Sequence, residues 1–159
     1  MKIAVFPGSF DPITRAHVDI VERAVALFDK IYVAIGVNHA KAGLLSHDDR
    51  LAVAEAVFAG VPQVEAVHFS GLTVDFCRSV GAKYILRGIR NTNDLEFEKA
   101  IAHNNETLAP DIESVFLISR IGLSHISSTI IREVFANRGD ISGMAPPAVV
   151  SFLKNKLTD

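Results

Sequence analysis

The chain has 159 residues, 49% of them hydrophobic, a formal net charge of −2 and a single cysteine, which suits one domain over residues 1–159 with a full core. No Lys/Arg-rich run offers the broad basic face that a nucleic-acid polymer needs, no apolar run approaches the roughly 18 residues of a membrane span, and one lysine ahead of a strand broken by Pro7-Gly8 makes no secretory signal. The lone Cys77 excludes an intrachain disulfide and a multi-cysteine metal site, so a soluble cytoplasmic protein without nucleic-acid or membrane partners is expected.

A first strand is expected at residues 2–6, where an apolar run meets Pro7-Gly8. Pro12 keeps Asp11 extended, and a helix follows over about 15–28, with Val18, Val21, Val25 and Phe28 at helical spacing. Further strands at 31–37, 64–69, 84–87 and 114–118 are solid apolar runs, the pattern of a parallel sheet covered on both faces. Helices are expected at 48–58, 73–80, 94–108, 128–137 and 146–157, the last opened by Pro146-Pro147. Ser46, three residues before Asp49, reads as the cap of the second helix, and Cys77 as core filler in the third. The fold class is therefore α/β: a Rossmann-like doubly wound sheet of five parallel strands with helices on both faces and a C-terminal helix. Ligands of such a sheet lie across the carboxyl ends of its strands.

The chemistry-bearing residues come directly after the strands. Behind the first stands Gly8-Ser9-Phe10-Asp11-Pro12, with Thr14 and His17 entering the helix. His17 in the first helical turn stands where free N–H groups and the positive end of the dipole face an anion, and its imidazole can donate to a phosphate oxygen. Lys41 comes after the second strand and Gly71-Leu72-Thr73 after the third. Arg87-Gly88-Ile89-Arg90 ends the fourth, where two guanidinium groups flank a glycine that lets the backbone approach a ligand. The structural alternative is that these arginines bridge to Asp94, Glu96 or Glu98. After the fifth strand, Ile126-Ser127-Ser128-Thr129 opens a helix with three hydroxyls and no carboxylate to occupy them, leaving donors for an anion. The histidine spacings build no zinc site. Nicotinamide-dehydrogenase and P-loop fingerprints are absent, as is the hydrolase nucleophile elbow.

In this order and spacing, the Ser9 to His17, Arg87 to Arg90 and Ile126 to Thr129 segments resemble the nucleotidyltransferases of the T/H-x-G-H superfamily. Within it, Asp94-Leu95-Glu96-Phe97-Glu98 and Ser114-Val115-Phe116-Leu117 are most similar to the phosphopantetheine adenylyltransferase family. The resemblance implies transfer of the adenylyl group of ATP to 4′-phosphopantetheine, giving dephospho-coenzyme A and pyrophosphate, with magnesium. It further implies a homohexamer and coenzyme A as a feedback inhibitor. Carried over by position, it implies His17, Lys41 and Arg90 as catalytic groups and Ser9, Lys41, Thr73 and Arg87 on phosphopantetheine. It implies an ATP site of Ser9, Phe10, His17, Gly88, Ile89, Arg90, Glu98, Leu123, Ser124, His125, Ile126, Ser127, Ser128 and Thr129. The chain departs from the family at Ala16, where a glycine is usual, at Leu123-Ser124-His125, where aromatics flank the serine, and at Thr129. The Ala16 methyl is expected to face the core. Sister transferases that act on nicotinamide mononucleotide, or on an alcohol phosphate with CTP, share the motifs.

Overall fold

The computed structural model describes residues 1–158. Its strands are β1 (Ile3–Gly8), β2 (Lys30–Gly36), β3 (Val64–Phe69), β4 (Tyr84–Ile89) and β5 (Glu113–Ile118). Its helices are α1 (Arg15–Ala24), α2 (His47–Phe58), α3 (Thr73–Ser79), α4 (Thr92–Leu108), α5 (Ser128–Ala136) and α6 (Pro147–Thr158). The strands form one parallel sheet in the order β3-β2-β1-β4-β5. The chain builds outward from β1 on one side, then crosses to add β4 and β5 on the other, so the direction of winding reverses between β1 and β4. That reversal opens the crevice in which such sheets bind ligands.

Alternation along the strands divides the core between the two faces of the sheet. Ala4, Phe6, Ile31, Val33, Ile35 and Leu86 meet the buried faces of α1, α2, α5 and α6. Val5, Ala34 and Ile85 face the other way, onto Val74 and Cys77 of α3 and onto Ala109 and Ile112. Cys77 is fully buried, and burial pushes its thiol up to about 11, so it is an inert part of this layer. Helix α4 is different. The only residue it buries is Glu98, while Leu95, Phe97 and Leu108 stay exposed.

Two expectations need correction. Helix α1 ends at Ala24, because Leu27 and Phe28 both bond the Ala24 carbonyl (2.8 and 3.1 Å) in a tightened last turn. Strand β1 does not stop at Pro7-Gly8. Both residues stay in register with Ala34 and Ile35 of β2. On the opposite edge β1 pairs with β4 only through Ala4 with Tyr84 and Val5 with Ile85. Pro7 turns its carbonyl to that parted edge, where the Arg87 guanidinium takes it. In a strand a residue's N–H and C=O share a side, so the N–H that proline lacks would have faced the open crevice, and the ladder loses nothing.

Candidate active site

The crevice holds two adjoining cavities. The first, of about 380 Å³, is walled by the β1–α1 turn, the end of β4, Asp94 and Glu98 of α4, and the start of α5. The second, of about 450 Å³, lies toward β2 and β3 and includes Asn38, Gly71 and Thr73. Pro7, Gly8, Ser9 and Arg87 line both, so one wall of backbone and one guanidinium separate two compartments of ligand size.

His17 is set by a capping box at the N-terminus of α1. Thr14 Oγ1 accepts the His17 backbone N–H (3.2 Å), and the Thr14 N–H donates to His17 Nδ1 (3.0 Å). Histidine thus fills a place usually taken by Glu or Gln. An Nδ1 that accepts a backbone N–H carries no proton, so the neutral ring bears it on Nε2. Burial among neighbours that include the Phe10 and Phe6 rings, with centroids 5.0 and 6.0 Å away, and then the charges of Arg87 and Arg90 take the imidazole from its ordinary 6.5 down to about 4. His17 therefore offers the first cavity a neutral donor of fixed tautomer. Phe10 holds that ring from a left-handed backbone position (φ 45°). The Phe10 ring lies over Gly8, where a Cβ would meet it at 3.0 Å, so the turn requires glycine at position 8.

Both arginines are braced, as the structural alternative had it, yet both still line the cavity. Arg87 donates through Nε and Nη2 to the two oxygens of Glu98 (2.8 and 2.5 Å). Arg90 donates through Nε and Nη2 to Asp94 (3.0 and 3.3 Å), and through Nη1 to the Ile126 carbonyl (3.4 Å). Burial alone would raise the Asp94 carboxyl, but the bonds from Arg90 outweigh it and hold it below the usual carboxylate range. Bidentate bracing fixes each guanidinium plane before any ligand arrives. Glu98 is buried with both oxygens committed to Arg87, so the geometry gives it the task of holding that arginine.

At α5 all three hydroxyls have partners, but only Ser128 spends its O–H on one. Ser127 caps the Ile130 N–H (3.2 Å), Ser128 donates to the Pro12 carbonyl (2.8 Å) and Thr129 accepts from Arg132 (3.1 Å). Ser127 and Thr129 act as acceptors and keep their O–H donors for an anion, and among the described residues no partner is found for the Ser128 and Thr129 N–H groups. Gly88 lines the first cavity and also packs closely on α1, where a Cβ would meet Ile20 at 3.2 Å.

The structure thus gathers Ser9, Phe10, His17, Arg87, Gly88, Arg90, Glu98, Ile126, Ser127, Ser128 and Thr129 around the first cavity, and Thr73 with Ser9 and Arg87 around the second. Lys41 lines neither. It is exposed at the tip of the turn after β2, its N–H on the Asn38 carbonyl (3.3 Å). Ile89 is buried off the cavity. Leu123 packs on the core, and Ser124 and His125 turn outward between β5 and α5. Ala16 lies in the core, as expected, and also on the wall of the first cavity.

Residues 5–134 match the cytidylyltransferase-like family. The phosphopantetheine adenylyltransferase of Flavobacterium psychrophilum is 48% identical over 149 residues, covering 94% of this chain and 98% of that relative. The chain belongs to the phosphopantetheine adenylyltransferase family. Another relative of that name, from Geotalea daltonii, is 43% identical over 156 residues, 98% of this chain and 97% of its own length. The fold is shared more widely. A Vibrio parahaemolyticus structure assigned as a nicotinate-nucleotide adenylyltransferase superposes with a TM-score of 0.76 at 21% identity, over 98% of this chain and 93% of that one.

In this member of the family, sequence reasoning passes over Arg132 and Ser119 on the first cavity's wall and names Asp94 only as a partner for an arginine. Arg132 lies four residues after Ser128 on α5, a spacing that places both on one helix face and could have marked it. Its Nη1 donates to the Asp11 carbonyl (2.8 Å), tying α5 to the β1–α1 turn.

Proposed function

We propose that this protein transfers the adenylyl group of ATP to 4′-phosphopantetheine, with the nucleotide in the first cavity, the acceptor in the second and the reacting phosphates meeting at their common wall. The observation that carries the reading is that wall: Ser9 and Arg87 face both compartments, so an acceptor phosphate and a nucleotide α-phosphate can share them. A phosphate oxygen of the acceptor forms the new bond to the α-phosphorus while the bond to pyrophosphate breaks, and the departing pyrophosphate takes the electron pair. An anionic nucleophile needs no general base, so the protein's work is alignment and charge stabilisation. His17 Nε2–H donates to the α-phosphate oxygens, and its low pKa keeps it a donor without making it an acid at neutral pH. Arg87 holds the acceptor phosphate, Thr73 and Ser9 lie along the acceptor, and Arg90 with the α5 N–H groups receives the pyrophosphate. Lys41, from its loop tip, closes on the acceptor phosphate from outside.

Magnesium fits this site as an ion carried by the nucleotide. Among the described residues no cluster of three or more His, Cys, Asp or Glu side chains could cage a metal, and Asp94 and Glu98 are committed to arginines. An ion with phosphate and water ligands needs no such cage, and when bound it neutralises phosphate charge.

Self-association, as a homohexamer, belongs to the same reading and is supported by the exposed Leu95, Phe97 and Leu108 of α4 beside the half-covered edge strand β5. Light scattering tests it. A cytoplasmic location and inhibition by coenzyme A, which would re-enter both cavities, complete the reading; no described helix is long and apolar enough to cross a membrane. Pyrophosphate release over a panel of nucleotides and acceptors tests the reaction. ATP with 4′-phosphopantetheine should react, whereas faster turnover with nicotinamide mononucleotide, or with CTP and an alcohol phosphate, would replace this reading with a sister activity.

A further inference from the structure

Arg50 and Asp11 are buried charges outside both cavities, each with a side chain 7% exposed. The Arg50 guanidinium, on α2, reaches three separate acceptors. Its Nε donates to the Leu45 carbonyl (3.0 Å), its Nη1 to the Ser9 carbonyl (3.3 Å), and its Nη2 lies 3.4 Å from Asp11 Oδ2. Asp11 in turn accepts the N–H groups of Leu44 (2.9 Å) and Leu45 (2.8 Å). A side chain at Gly43 would run into both the guanidinium and the carboxylate, so the loop passes close over the pair.

Two features of this clamp bear on the site. The contacts to the Ser9 carbonyl and the Asp11 carboxylate bracket Phe10, whose φ of 45° is costly for a residue with a side chain and persists only where its surroundings impose it. That backbone turn presents Ser9 to both cavities and sets the Phe10 ring against His17. The contact to Leu45 fixes the returning end of the 38–45 loop, which carries Lys41. A buried ion pair adds little to stability compared with apolar side chains of its size, so its effect here lies in what it aligns.

We infer that Arg50, paired with Asp11, is a positioning residue for adenylyl transfer: one guanidinium sets the Ser9–Phe10 turn and the Lys41 loop relative to each other. This inference rests on the function proposed above. Lysine at position 50 keeps the charge but cannot span three acceptors.

The test compares wild type, Arg50→Lys and Val53→Ala, the last a buried α2 residue outside the cavities that controls for loss of stability. Two readouts are taken: steady-state kinetics with ATP and 4′-phosphopantetheine, and amide hydrogen exchange. Arg50→Lys, still folded by its thermal melt, should lose about 10²-fold in kcat, the scale of a small misplacement of reacting groups. Exchange should accelerate at Phe10, Leu44 and Leu45 while the β2 and β4 amides stay protected. Val53→Ala should keep kcat within about twofold and show no such local pattern, because it leaves the aligning contacts intact. Folded Arg50→Lys with wild-type kcat and KM, or with unchanged exchange at those amides, overturns the inference. If wild type itself makes no pyrophosphate, the proposed function fails, while the exchange pattern still decides whether Arg50 sets the two segments. If Arg50→Lys does not fold, Arg50→Gln, which leaves the Asp11 acceptors of Leu44 and Leu45 in place, is read by the same two measures.

Discussion

On the function proposed above, His17 has two jobs on two different ring nitrogens, a cap at Nδ1 and a donor at Nε2, and amide side chains can separate them. In His17→Asn the shorter amide can still accept the Thr14 N–H that Nδ1 now receives at 3.0 Å, but it offers nothing at the depth of Nε2. In His17→Gln the longer amide, the usual capping-box residue, can accept the Thr14 N–H through its oxygen and turn its N–H donor toward the Nε2 position. Losing one preorganised donor to a charge that develops in the transition state costs about 10² to 10³ in turnover, or about 3 to 4 kcal/mol. Losing a helix cap costs about 1 kcal/mol of stability. Both variants keep the cap and should melt within that margin of wild type, so they differ in the donor alone: Asn should turn over about 10²-fold or more slowly, whereas Gln should stay within about tenfold in turnover. Stopped-time pyrophosphate assays and urea unfolding of the three proteins make the comparison. Because His17 titrates near 4, turnover should show no acid limb near 6.5 that belongs to this residue. An Asn variant with wild-type turnover, or a wild-type limb near 6.5 that vanishes in the Gln variant, would refute the neutral-donor assignment.

The same titration has a stability signature. The folded-state pKa of about 4 lies below the ordinary 6.5, so the unfolded chain binds the extra proton; stability is full above 6.5 and falls by up to about 3 kcal/mol as pH drops to 4. Urea unfolding from pH 7 to 4 should show that slope in wild type and lose it in His17→Asn. Glu98→Gln keeps the shape of the Arg87 brace but removes its charge. It should cost about 2 kcal/mol, the scale of a hydrogen bond to a charged group, and raise KM for 4′-phosphopantetheine more than for ATP; an unchanged KM would release Glu98 from the role of holding Arg87. Ala16→Gly should destabilise α1 by about 1 kcal/mol and tighten ATP in calorimetry, since the methyl stands on the cavity wall; unchanged affinity would return that methyl to the core side.

The sheet is legible in the sequence because helix-covered parallel strands are written as unbroken apolar runs, and the segments that carry chemistry stand at the carboxyl ends of those runs. The expected ends miss where tertiary partners decide them. Pro7 reads locally as a strand breaker, and only the parting of β1 from β4 makes it harmless. The Ser127 to Thr129 hydroxyls look free in sequence because their partners include the carbonyl of Pro12, 116 residues from Ser128. Arg50 and Ser9, 41 residues apart, leave no local trace at all, since an arginine in the first turn of a helix beside Asp48 and Asp49 reads as solvated. Gly88, between two arginines, reads as a glycine that admits a ligand, and the sequence carries no sign that Ile20 also packs against it. Lys41 and the Leu123-Ser124-His125 turn sit on loops whose approach to the cavities is not encoded in any periodicity.

At the parted edge of β1, the Arg87 guanidinium occupies the Pro7 carbonyl in the place where a main-chain N–H of β4 would otherwise have served. One side chain is therefore at once a piece of the sheet and a piece of the site. A protein that drifts toward a different acceptor cannot adjust this position in small steps, because each substitution that retunes the phosphate contact also unpicks the centre of the fold. Changes of acceptor preference should accumulate instead at Thr73, Asn38 and the Lys41 loop, which border the second cavity or its approach without carrying the sheet. Libraries meant to redirect the enzyme should hold position 87 constant and diversify that rim.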